Sequence, residues 1–161
     1  MTSTASLTIY ETRVQADWVD YNGHLRDAYF GLVFSYAVDA LMDRIGLDAA
    51  HRAATGGTLY VVEAHQFYLA EAHEGDTLEV RARVLDADAK RLQLHLDMRK
   101  AAGGAEHSVQ ESLLLHVDQS YGPKVAPFPA AIRERIEALR AGQADLAPPE
   151  RRSRAITLKP R

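Results

Sequence analysis

The fold is decided by the stretch Asp27–Ile45, which reads DAYFGLVFSYAVDALMDRI. Its small or polar positions recur every four residues and form one narrow row, while nearly all the others are apolar; the row is Gly31, Ser35, Asp39 and Asp43. A helix on a protein surface has a wider polar face, so this pattern predicts a long helix that other structure encloses. Gly46, directly after it, is a typical helix end.

The segments around this helix alternate with the period of two that indicates strands. One such segment, Leu7–Val14, precedes the helix, and the others follow it at about 58–70, 78–84, 91–99 and 106–118. In the last of them one side carries Val109, Leu113, Leu115 and Val117. Short connections favour antiparallel neighbours. We therefore expect an α+β fold in which one antiparallel sheet of about five to six strands wraps around a long central helix.

Charge and composition change near Gly122-Pro123. Residues 1–122 carry 10 basic and 18 acidic side chains, whereas residues 123–161 carry 9 basic and 4 acidic ones together with all six prolines. A short amphipathic helix is expected after Pro129, ending near Gly142. We therefore predict one compact domain over 1–141 and a basic tail over 142–161. The tail is either a mobile terminus or an electrostatic contact for a phosphorylated ligand or an acidic partner.

Composition also excludes several classes of function. The 161 residues contain no cysteine, which rules out disulfides, thiolate metal sites and cysteine nucleophiles. No membrane span, signal peptide or strip for nucleic acid is evident, so we expect a cytoplasmic protein. The serine-hydrolase elbow and the glycine-rich phosphate loops are missing. The seven histidines lack zinc-protease spacing, and no metal is expected.

The densest group of reactive side chains lies just before the long helix, in Trp18-Val19-Asp20-Tyr21-Asn22-Gly23-His24. It places a carboxylate, an amide, a glycine and an imidazole where unpaired N–H groups and the positive end of the helix dipole meet. Such a site suits a developing oxyanion. The alternative is purely structural: Asp20 or Asn22 caps the helix, and His24 is a partly buried ring.

The pattern Asp20-x-Asn22-x-His24, followed by an aromatic-rich helix, resembles the hotdog-fold thioesterases, in which a sheet wraps a central helix. The similarity is closest to the 4-hydroxybenzoyl-CoA thioesterase-like group and the plant acyl-carrier thioesterases. Two further segments resemble the small thioesterases of carnitine and betaine catabolism, some of which are described as acting on betainyl-CoA. These segments are Tyr68–Glu71 before Gly75-Asp76, and Glu111–Asp118. The resemblance covers about residues 5–140.

This resemblance implies a role for each residue of the motif. Asp20 would be the general base or nucleophile, and Glu71 is the alternative, since it matches a catalytic glutamate of the acyl-carrier thioesterases. Asn22 and His24 would position substrate or water. The N–H of Gly23 or of His24 would bind the carbonyl oxygen.

Several residues are candidates for binding the substrate. Trp18 and Tyr21 flank Asp20 and could form an aromatic box for a cationic acyl group. Arg26 is one of several arginines that could meet the phosphates of CoA. Asp27 and Phe30 at the start of the helix are further candidates. Glu63 and His65, which point the same way on one strand, are weaker ones.

The expected function is hydrolysis of a small acyl-CoA, with CoA present only as part of the substrate and no further cofactor. Two alternatives stay open at this point: a non-catalytic module that binds acyl-CoA, and a hydratase or dehydratase of the same fold. Because the outer face and the edges of the sheet are uncovered, a homodimer that extends the sheet is expected, with a tetramer also open.

Overall fold

Six strands form one antiparallel sheet in the computed structural model, which describes residues 6–158. Their bounds are β1 Leu7–Arg13, β2 Gly57–Tyr68, β3 Thr77–Ala87, β4 Arg91–Lys100, β5 Glu106–Asp118 and β6 Lys124–Val125. The order across the sheet is β1-β3-β4-β5-β2, with the short β6 beside β5. Consecutive strands β2 and β3 are therefore not neighbours, and the connection over 69–76 crosses the sheet from one edge towards the other. The predicted α+β arrangement is confirmed.

The long helix α1 spans Asp27–Ile45, which matches the predicted bounds. It ends at Gly46, whose backbone adopts the left-handed conformation with φ 91°, and whose N–H donates to the carbonyls of Asp43 and Met42. The apolar side of α1 is buried against the sheet, with Val33, Phe34 and Ala37 fully enclosed. On the sheet, the core is formed by alternate residues of β3 and β4: Leu78, Val80, Ala82, Val84, Leu92, Leu94, Leu96 and Met98.

The apolar row predicted for the last strand, β5, lies on the face of the sheet that points away from α1. Register places Leu114 opposite Leu92 and Ser112 opposite Leu94, so the even-numbered residues of β5 share the core face with the leucines of β4. That face is partly polar, and its groups bond one another: Gln110 Nε2 donates to Ser112 Oγ at 2.9 Å. The row from Val109 to Val117 therefore belongs to the outer face.

Two shorter helices complete the fold. Helix α2 spans Ala49–Thr55 and is capped at its N-terminus by Asp48, whose carboxylate accepts the N–H of His51 at 2.8 Å. Helix α3 spans Ala130–Gly142, follows Pro129 as predicted, and buries Ile132 and Ile136 in the core. Within residues 6–158 no helix has both the length and the apolarity needed to cross a bilayer.

The basic tail lies across the outer face of the sheet. Arg151 Nη1 lies 2.9 Å from Glu106 Oε2, and Arg152 Nε lies 2.9 Å from Glu111 Oε2. The Arg151 carbonyl oxygen also lies 3.0 Å from His95 Nε2, within hydrogen-bond distance. The tail thus finds acidic partners within its own chain. The domain boundary at 141 stays a prediction.

Candidate active site

The loop before α1 is organised by the Asp20 carboxylate. Its Oδ1 accepts the backbone N–H of Asn22 at 2.8 Å and that of His24 at 3.1 Å. Asp20 N–H in turn donates to the His24 carbonyl at 2.8 Å, and Gly23, with φ 77°, allows the tight turn between them. The hydrogen bond from the His24 N–H, helped by that from Asn22, lowers the pKa of Asp20. An ionised carboxylate of low basicity suits a structural role better than a base.

This loop changes the expected oxyanion site. The Gly23 N–H donates to the Asp20 carbonyl at 3.0 Å and the His24 N–H to the Asp20 carboxylate, so both predicted donors are used inside the loop. At the start of α1, Ala28 N–H bonds the Asp27 carboxylate at 2.9 Å. The Asp27 N–H, by contrast, has no acceptor among residues 6–158. It is the better placed donor, because it lies at the positive end of the helix dipole.

A pocket of about 420 Å³ opens beside this helix start. One wall comes from the loop and the first turn of α1, and the other from the end of β2 and the residues after it. The lining residues are His24, Leu25, Asp27, Phe30, Tyr68, Leu69, Ala70 and Glu71. Asp20 does not line the pocket. Its carboxylate accepts the backbone N–H of His24 instead.

The pocket brings together two predicted residues that are far apart in sequence. His24 Nε2 lies 3.3 Å from Glu71 Oε2, and their side chains are 32% and 66% exposed. A short backbone pairing holds them there, since Leu25 N–H donates to the Ala72 carbonyl at 2.7 Å and His24 pairs with His73. A solvent-accessible carboxylate beside an imidazole is the arrangement expected of a general base and its partner.

The aromatic box predicted from Trp18 and Tyr21 does not form. Trp18 stacks on Tyr29 of α1 with ring centroids 5.6 Å apart and packs against the core, while Tyr21 is 94% exposed at the tip of the loop. The pocket instead contains an edge-to-face pair of Phe30 and Tyr68, with centroids 5.5 Å apart. Phe30 was predicted. Tyr68 was not among the predicted site residues, although it begins the Tyr68–Glu71 segment.

Four other candidates lie outside the pocket. Arg26 is exposed, and its Nε donates to the Val19 carbonyl at 3.2 Å. Glu63 and His65 lie on the outer face of β2, in a separate depression near Glu111 of β5. The reason is the alternation of side chains along a strand, which directs these two residues away from α1. Asn22 is exposed on the loop, and its role stays a prediction.

The charge around the pocket is negative. Its lining contains the carboxylates of Asp27 and Glu71, and no lysine or arginine is among the described residues that form it. Burial and the nearby Asp27 carboxylate raise the pKa of the Tyr68 hydroxyl. Aromatic faces together with carboxylates favour a cationic group over a neutral one of the same shape.

Comparisons with known proteins identify the family of the chain. The profile of the Thioesterase-like superfamily matches residues 14–136. Betainyl-CoA thioesterase of Pseudomonas aeruginosa is 47% identical over 154 residues, which cover 96% of each chain.

Solved structures give the same result. A candidate thioesterase of Pseudomonas putida KT2440 is 41% identical, with a TM-score of 0.84 and coverage of 97% of this chain and 99% of that one. A hypothetical protein of Staphylococcus aureus, solved in complex with CoA, is 27% identical, with a TM-score of 0.82 and coverage of 94% and 97%. The sheet curled around α1 is thus the hotdog fold that the resemblance implies, and the chain belongs to the thioesterase-like superfamily.

Proposed function

We propose that this protein is an acyl-CoA thioesterase that hydrolyses a small acyl-CoA, betainyl-CoA above all, to the free acid and CoA. The observation that carries the proposal is the exposed pair of His24 Nε2 and Glu71 Oε2, 3.3 Å apart in a pocket at the start of α1. The 47% identity to a betainyl-CoA thioesterase supports the choice of acyl group. The proposed reaction uses no cofactor, and CoA takes part only as a portion of the substrate.

Glu71 acts as the general base. Its carboxylate takes a proton from a water molecule, and the water oxygen adds to the thioester carbonyl. The negative charge that develops on the carbonyl oxygen is stabilised by the Asp27 N–H and the dipole of α1. The carbon–sulfur bond then breaks, the CoA thiolate leaves, and the proton held by Glu71 returns to the products. His24 orients the Glu71 carboxylate.

Asp20 is a positioning residue in this mechanism. Its carboxylate bonds the backbone of Asn22 and His24, which fixes the loop that carries the imidazole. The choice between the two acids therefore falls on Glu71, because Glu71 lines the pocket whereas Asp20 does not.

The acyl group is selected by charge. A trimethylammonium group at the end of a short acyl chain would contact the rings of Phe30 and Tyr68 and the Asp27 carboxylate. Contact between such a cation and aromatic rings contributes about 0.5–2 kcal/mol. A neutral acyl group of the same shape gains only the apolar part of this contact.

The test compares betainyl-CoA with tert-butylacetyl-CoA, in which carbon replaces the quaternary nitrogen. We expect kcat/KM to be at least about tenfold higher for betainyl-CoA. The ammonium of betainyl-CoA also activates the neighbouring carbonyl, whatever the protein does. The deciding result is therefore the ratio of kcat/KM for betainyl-CoA to kcat/KM for tert-butylacetyl-CoA in Asp27→Asn. This variant keeps an oxygen to cap Ala28 but loses the charge, so the ratio should fall several-fold. Asp39→Asn, further along α1, is the matched control and should leave the ratio unchanged.

The outcomes separate the two parts of the proposal. If Asp27→Asn leaves the ratio unchanged, the Asp27 carboxylate does not select for the positive charge of the substrate, although the proposed thioester hydrolysis is not contradicted. If neither compound releases free thiol, the proposed activity itself is wrong. Acetyl-CoA and hexanoyl-CoA complete the panel, and both should be poorer substrates than betainyl-CoA.

The proposal includes a cytoplasmic location and a homodimer formed along β2. A tetramer made of two such dimers is the alternative assembly. One edge of β2 pairs with β5, and the other edge pairs with no strand among residues 6–158. Val61 and Val62 on this strand are 50% and 52% exposed. An unprotected apolar edge of this kind favours pairing with a second copy.

A further inference from the structure

His73 stands beside the proposed catalytic pair without a part in the reaction. We propose that His24, Glu71 and His73 form a binding site for a divalent transition ion, Zn²⁺ in particular, and that the bound ion inhibits hydrolysis. The inhibitory effect rests on the proposed function, whereas binding of the ion does not.

The three side chains have the spacing of a metal site. One ligand atom from each lies within 4.8 Å of the others. His24 Nε2 and Glu71 Oε2 are already 3.3 Å apart. Two ligands on a tetrahedral zinc ion, each about 2.0–2.2 Å from it, are separated by about 3.4 Å. Closing the site therefore requires only a small movement of the His73 ring.

The backbone beneath these ligands is already paired. His24 and His73 face each other in an antiparallel bridge, and Leu25 N–H donates to the Ala72 carbonyl at 2.7 Å. The two imidazoles lie edge to face, with centroids 4.9 Å apart. Because the chain holds the ligands together before any ion binds, little ordering is needed on binding.

A carboxylate also lies next to one of these ligands, the His73 side chain. Asp76 Oδ2 lies 3.9 Å from Nδ1 of the His73 ring and accepts the backbone N–H of His73 at 3.0 Å. Lys100 Nζ lies 2.8 Å from the other oxygen of Asp76 and fixes this carboxylate in place. A carboxylate near one imidazole nitrogen orients the ring so that the other nitrogen binds zinc. Because Nδ1 is the ring nitrogen that lies 3.9 Å from Asp76, we expect the Nε2 of His73 to be the ligand.

The donor set selects the ion and predicts its effect. Two imidazoles and one carboxylate suit Zn²⁺ and its neighbours in the first transition row, rather than Mg²⁺ or Ca²⁺, which prefer oxygen ligands. Coordination uses the lone pairs of Glu71 and His24. A Glu71 carboxylate bound to a divalent cation is a much weaker acceptor for a proton from water, so the loaded protein should be inactive.

The test uses the full chain, freed of metal with a chelator and titrated with Zn²⁺ and, separately, Co²⁺. Binding is measured by calorimetry and by the visible absorption of Co²⁺, and hydrolysis by loss of the thioester absorbance. We expect one ion per chain, full activity without metal, and inhibition over the same concentration range as binding. Mg²⁺ should have no effect on either measurement.

The decisive variant is His73→Phe, which keeps a ring against His24 but removes a ligand. Its activity without metal should stay within about twofold of the parent, while the Zn²⁺ concentration for half-inhibition should rise at least about tenfold. His73→Asn serves the same purpose if the larger side chain disturbs folding. His65→Phe, the same change on the outer face of β2, should leave metal binding unchanged.

Three results would overturn the proposal. The first is the absence of Co²⁺ or Zn²⁺ binding, which is measured without reference to catalysis. The second is equal sensitivity of His73→Phe and the parent, which would put the ion elsewhere. The third is activity that disappears with the chelator and returns with Zn²⁺, because the ion would then support hydrolysis instead of blocking it. Loss of the proposed function alone would leave the binding measurements intact.

Discussion

At the scale of single residues, two carboxylates approach the same histidine from different sides. Asp20 bonds the backbone N–H of His24, whereas Glu71 lies 3.3 Å from its ring in an open pocket. The sequence pattern singled out the loop from Asp20 to His24, and the structure places His24 of this loop in the pocket. It could not rank the two acids, since their difference depends on which N–H groups the folded loop already uses.

Variants at Asp20 test its positioning role. Asp20→Asn keeps an oxygen that can accept the N–H groups of Asn22 and His24, so kcat/KM for betainyl-CoA should fall less than about tenfold. Asp20→Ala removes both hydrogen bonds and releases the loop, and the loss should be about 100-fold, because misplacing a catalytic group by about 1 Å has an effect of that size. Equal losses in the two variants would contradict this role and would assign the charge of Asp20 to the chemistry.

At the scale of secondary-structure elements, periodicity predicted α1 and the four long strands after it closely. The bounds of α1 agree because the apolar face and Gly46 are both local signals. Which face of β5 belongs to the core was less evident from the sequence. The core face carries the polar residues Ser108, Gln110 and Ser112, whereas Leu113 and Leu115 lie on the outer face of the sheet. The position of the tail was not predictable either, because its arginines pair with acids that are about 40 or more residues away in sequence.

The contact between tail and sheet should depend on pH. Burial of the Glu111 carboxyl opposes its ionisation, but hydrogen bonds from Arg152, the Ser153 N–H and Gln93 outweigh this effect and lower the pKa of Glu111 to about 2. A lowered pKa in the folded state stabilises the protein above the ordinary value of 4.5, and this contribution is lost as the pH falls towards 2.

Arg152→Gln should therefore lower the free energy of unfolding by about 1 kcal/mol at pH 7, in urea titrations, since Arg152 is half exposed. The difference from the parent should shrink between pH 4.5 and pH 2, as Glu111 becomes protonated. The control is Arg154→Gln, because the guanidinium of Arg154 lies over the Phe67 ring and not beside Glu111. A difference for Arg152→Gln that stays constant down to pH 2 would mean that the ion pair with Glu111 does not stabilise the tail.

At the scale of the whole molecule, the exposed edge of β2 leads to a prediction about assembly. Light scattering after size exclusion should give a mass of at least twice the 17.8 kDa of one chain. Val62→Lys should shift the protein towards monomer, because a charged side chain on an edge strand disfavours pairing. Leu158→Lys makes the same change at an exposed leucine in the tail and should leave the mass unchanged. A parent protein of 17.8 kDa in solution would contradict the dimer.

The whole account depends on Glu71 as the group that activates water, and one comparison tests it most directly. Glu71→Gln and Glu74→Gln make the same chemical change three residues apart, but only Glu71 lines the pocket. We predict that Glu71→Gln lowers kcat/KM for betainyl-CoA at least about 100-fold, or about 3 kcal/mol in the barrier, with an unchanged melting temperature. Glu74→Gln should stay within about twofold of the parent. A Glu71→Gln protein that hydrolyses betainyl-CoA at the parent's rate would contradict the mechanism.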